Sequence, residues 1–149
     1  MIHDVMIQPL RRIPDERGTI MHMLKNSDPW FDTFGEIYFS TIYPGVVKGW
    51  HIHHRMTLNY CVIVGSIKLV LYDDRSESPT RGEVNEIYIG TENYNLVKIP
   101  PLIWNGFKGI GSNTAILANC SSEPHDPTEI DRLDPFDNQI PYSWDIKHG

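Results

Sequence analysis

Short runs of β-branched and aromatic residues, each closed by turn-forming residues, constrain the fold of this chain more than any other feature. The run over 36–43 ends at Pro44-Gly45, and the run over 56–64 ends at Gly65. Runs of this composition bounded by Gly, Pro, Asn or Asp are typical of β-strands. Because the same rhythm continues with almost no helical periodicity, the sequence predicts an all-β sandwich or barrel.

The predicted strands cover most of the chain before residue 120. They span 5–10, 19–24, 36–43, 46–53, 56–64, 66–72, 84–89, 96–99, 103–108 and 114–119. The segments 25–34 and 76–83 are predicted loops because they combine proline with polar residues. Since the strands at 46–53, 56–64 and 66–72 follow one another closely, we expect these three to form a meander.

The tail from Ser121 onward has no strong strand or helix pattern. Its prolines limit it to short turns and one brief helix near 128–132. Its aromatic residues Phe136, Tyr142 and Trp144 indicate that the tail packs onto the body of the protein.

Composition and charge narrow the class of protein. With 149 residues, 40% of them hydrophobic and 21% charged, the chain is expected to form one globular domain over 1–149. A formal net charge of −6 argues against nucleic acid or an anionic membrane as a partner. We see no signal segment and no apolar run of the roughly 20 residues that a membrane span needs. Cys61 and Cys120 are too few for a disulfide framework, so we expect reduced thiols and a cytoplasmic location.

The segment 48–55, with the sequence Lys-Gly-Trp-His-Ile-His-His-Arg, concentrates groups that titrate near neutral pH, bind metal or carry positive charge. Alternate residues of a strand share a face, so His51 and His53 are expected to point the same way. Two imidazoles in one cavity suit acid/base chemistry. The structural alternative is a pair of partly buried histidines satisfied by core hydrogen bonds.

The spacing over 45–65 follows the first signature of the cupin superfamily, but Leu58 stands where cupins normally have Glu. In the second signature, Asn105 stands where they normally have a third His. A catalytic divalent metal needs about three protein ligands, and only His51 and His53 remain. We therefore expect an acid/base pair with no metal and no other cofactor. A metal-dependent reaction of the dioxygenase type is the alternative.

Four stretches of the chain carry a family resemblance. They are the opening Asp15-Glu16-Arg17-Gly18, the segment 44–75 with Lys48-Gly49-Trp50-His51, the segment from Pro100-Pro101 to Asn105-Gly106-Phe107, and the tail from Glu123-Pro124 to Leu133-Asp134-Pro135-Phe136. Taken in this order, they resemble the motifs of the dTDP-4-dehydrorhamnose 3,5-epimerases. The likeness covers nearly the whole chain, although the chain is shorter than the usual member. The order of the motifs carries more weight than any one of them.

The resemblance implies a cupin jelly roll, or double-stranded β-helix barrel, with a short irregular C-terminal tail, usually assembled as a homodimer. It also implies an isomerase that acts without a metal on a nucleotide-linked 4-keto-6-deoxy sugar. The 4-keto group acidifies the protons on C3 and C5, so a base removes one and an acid returns a proton from the opposite face. The intervening enolate oxygen needs a nearby cation or hydrogen-bond donor.

The resemblance further assigns roles to individual residues. His51 falls on the family's catalytic base, and Asp134 falls approximately on the carboxylate that pairs with it. Lys48 takes the place of an Arg beside the base, and Arg17 matches an Arg that helps to hold the nucleotide diphosphate. The predicted catalytic set is His51, His53, Asp134, Lys48 and Tyr60, and the predicted substrate-binding set is Arg17, Arg55, Asn105, Lys108 and Tyr38.

Two positions depart from the family at the chemical step. The family's enolate-stabilising Lys corresponds to Leu58, and its proton-donating Tyr corresponds to Ala118. Lys48 or Lys108 would therefore have to stabilise the enolate. The tyrosines that could replace the proton donor are Tyr38, Tyr43 and Tyr60.

Two other functions stay open at this point. The pair His51 and His53 is also similar to the Arg-Gly-x-His-Ala-His motif of the sugar-nucleotide 3,4-ketoisomerases, which move a keto group through an enediol. The residues Leu58 and Ala118 would equally allow a sugar-nucleotide-binding cupin that has lost catalysis. The similarity of the tail favours the epimerase.

Overall fold

The computed structural model describes residues 1–137 and 139–149. Within them the chain forms twelve strands and one 3₁₀ turn over Pro127–Glu129. The strands are β1 (Met6–Pro9), β2 (Arg12–Asp15), β3 (Gly18–Met21), β4 (Glu36–Ile42), β5 (Val47–His53), β6 (Leu58–Val64), β7 (Ser66–Asp73), β8 (Val84–Gly90), β9 (Asn95–Ile99), β10 (Ile103–Ile110), β11 (Ala115–Ser121) and β12 (Ile130–Arg132). Among the described residues, no helix has the length and apolar character needed to cross a membrane.

Two five-stranded antiparallel sheets form the body of the protein. Sheet I has the strand order β1-β9-β6-β11-β4, and sheet II has the order β12-β5-β10-β7-β8. The longest register joins β10 to β7, from Ile103 opposite Asp73 to Ile110 opposite Ser66. The predicted all-β jelly-roll barrel is confirmed.

The main apolar core lies between the two sheets. Alternate residues of the central strands point into it, such as Leu58, Tyr60 and Val62 from β6 and Leu69 and Leu71 from β7. None of these five side chains is more than 2% exposed. Removing this apolar surface from water is the main force that holds the sheets together.

The expected meander of three successive strands is wrong. β5 and β7 both pair with β10 in sheet II, whereas β6 lies in sheet I between β9 and β11. The chain changes sheet at Gly65, where φ is +75° and an added Cβ would come 2.8 Å from Ala115 Cα. This corner requires glycine. The strand pattern alone does not reveal which sheet each strand joins.

A hairpin of β2 and β3 forms a separate two-stranded sheet near the N-terminus. Met21 at the end of β3 and Met23 just beyond it pack with Cys61, Tyr94 and Ala118 on the outer face of sheet I. Because this cluster covers the outside of β6, most of that strand is buried on both faces.

The C-terminal tail covers the outer face of sheet II. Trp50 of β5 is 1% exposed there, with its ring centroid 5.1 Å from that of Trp144 and 6.0 Å from that of Tyr142. The prediction that the tail packs onto the body is confirmed for these aromatic residues. It is wrong for Phe136, which is 74% exposed.

The segment after Asp126 departs from the predicted brief helix. Pro127–Glu129 form only a 3₁₀ turn, which the Asp126 carboxylate caps by accepting the N–H of Thr128. Ile130–Arg132 then extend as β12, because they pair with β5 at the edge of sheet II. This pairing brings the tail alongside the strand that carries the histidines.

Candidate active site

A cavity of about 840 Å³ lies between the two sheets beside β5. Lys48, His51, His53 and Arg132 line it from β5 and β12, and we call this group the histidine wall. Tyr38 and Tyr60 line it from sheet I, where Asn119 lies between them, and we call this group the tyrosine wall. Glu36, His125 and Asp134 add further polar groups to the lining.

The two histidines of the histidine wall lie side by side. His51 and His53 both line the cavity, as strand alternation predicts. Their ring centroids are 5.6 Å apart and their rings are nearly perpendicular, at 89°. Two titratable groups are therefore held in direct contact within one cavity.

His53 is backed by a buried carboxylate that sequence reasoning missed. Its Nδ1 lies 2.5 Å from Glu129 Oε1, and Glu129 is 1% exposed. The other carboxylate oxygen accepts the backbone N–H groups of His54, Arg55 and Met56 at 3.1, 2.9 and 3.2 Å. Although burial raises the pKa of Glu129, the bonds from His53 and the backbone outweigh it and hold the pKa below its usual value. The carboxylate thus fixes the ring of His53 from behind.

Asp134 lines the cavity but does not pair with a histidine. Its Oδ1 accepts the backbone N–H of Phe136 at 2.8 Å, within the tail. The carboxylate that contacts an imidazole of the cavity is Glu129, and that imidazole is His53 instead of His51. The structure therefore corrects the expected His51–Asp134 pair, because the segment over 127–132 brings Glu129 closer to β5.

His51 is held by neutral groups. Its Nε2 lies 3.4 Å from the hydroxyl of Tyr60, which lies 3.4 Å from Asn105 Oδ1. Burial, the imidazole of His53 and the guanidinium of Arg132 together lower the pKa of His51 to about 3. His51 is therefore neutral at physiological pH, and its Nδ1 has no hydrogen-bond partner among the described residues.

Two cationic residues line the cavity together with the histidines. Lys48 Nζ donates to Thr41 O at 2.5 Å and to Ser40 Oγ at 3.2 Å, which holds the ammonium at the cavity. Arg132 lies directly opposite His51 in the β12–β5 pairing and forms no salt bridge with any described residue. Sequence reasoning missed Arg132, because its place in the site depends on the pairing of β12 with β5.

The side chains of the tyrosine wall are uncharged, and side-chain amide groups hydrogen-bond to both tyrosine hydroxyls. Asn119 is 0% exposed, and its Nδ2 donates to the hydroxyl of Tyr38 at 3.0 Å. Its Oδ1 accepts the backbone N–H of Asn59 at 3.0 Å. Asn105 does not line the cavity itself. It contacts the site only through the hydroxyl of Tyr60.

Three predicted substrate-binding residues lie outside the cavity of this chain. Arg17 is in the β2–β3 hairpin, where its 85% exposed side chain pairs with Asp15. Arg55 pairs with Glu123 and Asp126 at the surface. Lys108 donates to Trp144 O at 3.1 Å on the outer face of sheet II, one residue after Phe107, whose ring points inward. None of the three lines the cavity of this chain, and their part in substrate binding stays a prediction.

The two positions that depart from the family have different environments. Leu58 is part of the main core between the sheets. Ala118 faces outward and packs with Cys61 and Tyr94, while its neighbours Leu117 and Asn119 face the cavity side. A side chain at position 118 therefore points away from the cavity of this chain.

The side chains that could hold a metal do not converge. In residues 1–137 and 139–149, no group of three His, Cys, Asp or Glu side chains is arranged to bind a metal ion. His53 uses Nδ1 for Glu129, and His51 directs Nε2 to Tyr60. What the arrangement offers is a neutral imidazole, two cations and two phenols around one cavity.

Comparisons with known proteins agree with this architecture. The sequence model of the family described as dTDP-4-dehydrorhamnose 3,5-epimerase matches residues 1–148. The probable low-salt glycan biosynthesis epimerase Agl13 of Haloferax volcanii is 36% identical over 144 residues, which cover 95% of this chain and 88% of that protein. A dTDP sugar isomerase from Desulfovibrio desulfuricans G20 has a crystal structure with a TM-score of 0.94 and 42% identity, covering 96% of this chain and 92% of that chain.

A third relative has been solved with a sugar nucleotide bound. It is the dTDP-6-deoxy-D-glucose-3,5-epimerase of Legionella pneumophila Philadelphia 1, in complex with dTDP-4-keto-L-rhamnose. The TM-score is 0.84 at 24% identity, and the match covers 98% of this chain and 81% of that chain. This similarity shows a shared fold.

Fold and comparisons together define an isomerase of the sugar-nucleotide epimerase class with a cupin jelly roll. The chain belongs to the dTDP-4-dehydrorhamnose 3,5-epimerase family. The family, the enzyme class and the epimerase-like function expected from the sequence are confirmed.

Proposed function

We propose that the protein epimerises a nucleotide-linked 4-keto-6-deoxy sugar by metal-free removal and return of a proton next to the keto group. The observation that carries the proposal is His51, an imidazole kept neutral inside a cavity that also holds two cations. A neutral imidazole beside a carbonyl-bearing sugar is suited to act as a general base. The Legionella relative, solved with dTDP-4-keto-L-rhamnose, supports a substrate of this chemical class.

The chemical step follows from the arrangement of the histidine wall. The 4-keto group acidifies the neighbouring C–H bond, and His51 removes that proton to leave an enolate. Lys48 is the cation that stabilises the enolate oxygen, as its side chain lines the same cavity as the base. The negative charge of the enolate in turn stabilises the imidazolium that forms on His51. This stabilisation offsets the low basicity of His51 in the substrate-free protein.

Arg132 is the residue we propose for the diphosphate of the substrate. Its guanidinium lines the cavity without an internal carboxylate partner among the described residues. A planar guanidinium donates two parallel hydrogen bonds to a phosphate group. Arg132→Ala should raise KM more than it lowers kcat, because this contact is made in both the ground state and the transition state.

Deuterium exchange tests the proposed function. Pure protein is incubated in deuterated water with a dTDP-4-keto-6-deoxyhexose, and C3 and C5 are followed by NMR. We expect solvent deuterium at one or both carbons together with inversion. No uptake at either carbon would contradict the proposal. A stoichiometric metal on the purified protein, lost in His51→Ala together with His53→Ala, would contradict the metal-free mechanism.

The adjacent histidines favour one second candidate, a 3,4-ketoisomerase. Their centroids are 5.6 Å apart on one face of β5, so both reach the same side of a bound sugar. Such a pair suits transfer of a proton between neighbouring carbons. The same incubation distinguishes the two reactions, because an isomerase moves the keto group to C3 and an epimerase leaves it at C4. Binding without either change would indicate a sugar-nucleotide-binding protein that has lost catalysis.

We also propose that two copies of the chain form a homodimer through the outer face of β4. This strand is at the edge of sheet I, and its Ile37 and Phe39 are 50% and 59% exposed. Neighbouring large apolar side chains on an exposed sheet face are typical of a protein interface. Sedimentation equilibrium should give twice the chain mass, and Phe39→Asp should dissociate the dimer. A monomeric wild type would contradict the proposal.

We place the enzyme in the cytoplasm. Cys61 and Cys120 are both free thiols, which supports a reducing compartment. Fractionation of cells that express the protein would test this location, and recovery outside the cytoplasmic fraction would contradict it.

A further inference from the structure

Tyr38 and Tyr60 occupy different places on the tyrosine wall. Asn119 of β11 lies directly opposite Tyr38 of β4 on one side and opposite Tyr60 of β6 on the other. The two tyrosines are therefore two strand spacings apart, about 10 Å at the backbone. Both rings line the cavity. Their hydroxyl groups nevertheless have different hydrogen-bond partners.

The hydroxyl of Tyr38 keeps its proton available. Asn59 N–H binds Asn119 Oδ1 at 3.0 Å, which turns Asn119 Nδ2 toward the Tyr38 oxygen, also at 3.0 Å. An amide NH₂ group only donates, so the Tyr38 oxygen must accept this bond. In the described part of the chain, the proton of that hydroxyl has no acceptor. Since the ring lines the cavity, the proton is left for a ligand.

The hydroxyl of Tyr60 forms its hydrogen bonds within the protein. Asn105 Nδ2 donates to the backbone carbonyl of His51 at 3.2 Å, which leaves Asn105 Oδ1 to accept from Tyr60. The same hydroxyl lies 3.4 Å from His51 Nε2. If the acid acts on the face opposite the base, the reacting carbon must lie between the two groups, about 3–3.5 Å from each. Tyr60 is in direct contact with the imidazole and therefore stands on the same side of the substrate as the base.

We propose that Tyr38 is the proton donor of the reaction and that Asn119 is its positioning residue, an assignment that rests on the proposed epimerase function. His51 projects from sheet II and Tyr38 from sheet I, on the two walls of one cavity. A sugar carbon held between the walls meets the base on one face and the acid on the other, as inversion requires. Of the three tyrosines predicted as possible proton donors, Tyr38 takes that role, and Tyr60 holds His51.

The proton transfers balance as follows. The C–H bond breaks, its proton goes to His51, and its electron pair forms the enolate double bond. The enolate then takes the hydroxyl proton of Tyr38 on its other face, a new C–H bond forms, and the C4 carbonyl is restored. Asn119 Nδ2, already donating to this oxygen, stabilises the phenolate that results. The imidazolium releases its proton to solvent and the phenolate regains one, so no co-reactant is needed.

Tyr38→Phe tests the assignment, because it keeps the ring and removes only the hydroxyl. We expect inversion to fall about 10²–10⁴-fold, the usual contribution of a positioned acid. His51 should still remove the proton and return a solvent deuteron to the same face, so deuterium should accumulate in recovered substrate of unchanged configuration. Tyr43→Phe is the matched control, since Tyr43 is 69% exposed and does not line the cavity. It should behave as the wild type.

Two results would overturn the assignment. One is inversion by Tyr38→Phe at the wild-type rate. The other would be a Tyr60→Phe variant that takes up solvent deuterium without inverting, together with a Tyr38→Phe variant that does both. We expect Tyr60→Phe to lower deuterium exchange and inversion together. A wild type that neither exchanges nor inverts would contradict the proposed function itself, so the two failures are distinguishable.

Asn119→Asp tests the positioning role. The introduced carboxylate still accepts the N–H of Asn59, but its second oxygen faces Tyr38 and accepts the hydroxyl proton that the wild type leaves free. Inversion should therefore drop at neutral pH and recover as the carboxylate is protonated at lower pH, while exchange into substrate continues. A purely structural role would lower exchange and inversion equally at every pH, and that result would overturn the positioning role.

Discussion

The two walls of the cavity are built on different principles. The histidine wall carries groups that titrate or are charged, and a buried carboxylate, Glu129, anchors it from behind. The tyrosine wall is neutral, and the amide of Asn119, fixed by a backbone N–H, decides which way its hydrogen bonds run. The first wall is therefore arranged by charge and the second by hydrogen-bond direction. A base and an acid with separate tasks need this separation.

His51→Asn should have the largest effect on the reaction. It removes the base from the histidine wall, so exchange and inversion should both fall by about 10²–10⁴-fold. Solvent exchange in deuterated water measures the loss, and circular dichroism checks the fold. His54→Asn is the control, since His54 is 45% exposed and pairs with Asp131 at the surface. If both variants keep the exchange, His51 is the wrong base.

Lys48→Met and Lys108→Met compare two lysines on opposite faces of sheet II. Lys48 lines the cavity, so losing the cation that faces the enolate should lower kcat by about 10²–10³-fold. Lys108 contacts Trp144 under the tail, so its loss should leave kcat within about twofold and lower stability by about 1 kcal/mol. Steady-state kinetics and urea unfolding measure the two effects. The opposite pattern would show that Lys108 faces the substrate.

The neighbouring pairs His53–Glu129 and His54–Asp131 allow the contribution of a buried carboxylate to stability to be compared with that of an exposed one. Glu129→Gln places an amide N–H opposite His53 Nδ1 and removes charge from a site that four donors share. The free energy of unfolding should fall by about 1.5–3 kcal/mol. Asp131→Asn removes a carboxylate that is 67% exposed, and the change should stay below about 1 kcal/mol. Equal urea midpoints for the two variants would contradict the structural role of Glu129.

The smallest expected effect is a flat pH profile. The pKa of His51 is lowered to about 3 by burial, His53 and Arg132, with Tyr60 as its neutral contact. His51 therefore stays in its base form as pH falls, and the exchange rate should not lose the factor of about ten that an ordinary histidine of pKa 6.5 loses by pH 5.5. A rate that falls with an apparent pKa near 6.5 would contradict a buried, neutral base.

The lowered pKa of His51 also makes the free energy of unfolding depend on pH. Below pH 6.5 the unfolded chain binds a proton at His51 that the folded protein does not bind, so stability rises with pH in this range. The contribution of His51 is complete above pH 6.5 and is lost as pH falls toward 3. Urea midpoints of the wild type should decline over this range more steeply than those of His51→Asn. Parallel declines would contradict the linkage.

The histidine wall could be predicted in part because it depends on local pattern. His51 and His53 are two residues apart on a strand, and alternation alone brings them to one face. Glu129 could not be predicted, because it reaches His53 across 76 residues of sequence. The expected pairing of His51 with Asp134 was wrong for the same reason, since no local pattern reveals how the tail pairs with β5.

The tyrosine wall could not be predicted from sequence, because it depends on register between strands. Tyr38, Asn119 and Tyr60 form a row only because β4, β11 and β6 are neighbours in sheet I. The jelly roll itself followed from strand signals and family resemblance, but the order of strands in the two sheets did not. Lys108 was misplaced for a different reason: alternation puts it on the face opposite Phe107, but the strand pattern does not reveal which of the two faces the cavity.

The most direct test of the two-wall account is the distribution of deuterium early in a reaction of the wild type in deuterated water. With a base and an acid on opposite walls, the inverted product should carry solvent deuterium at the inverted carbon while recovered substrate stays nearly unlabelled. Inverted product that keeps the hydrogen of the substrate would show that one group performs both transfers and would contradict the account.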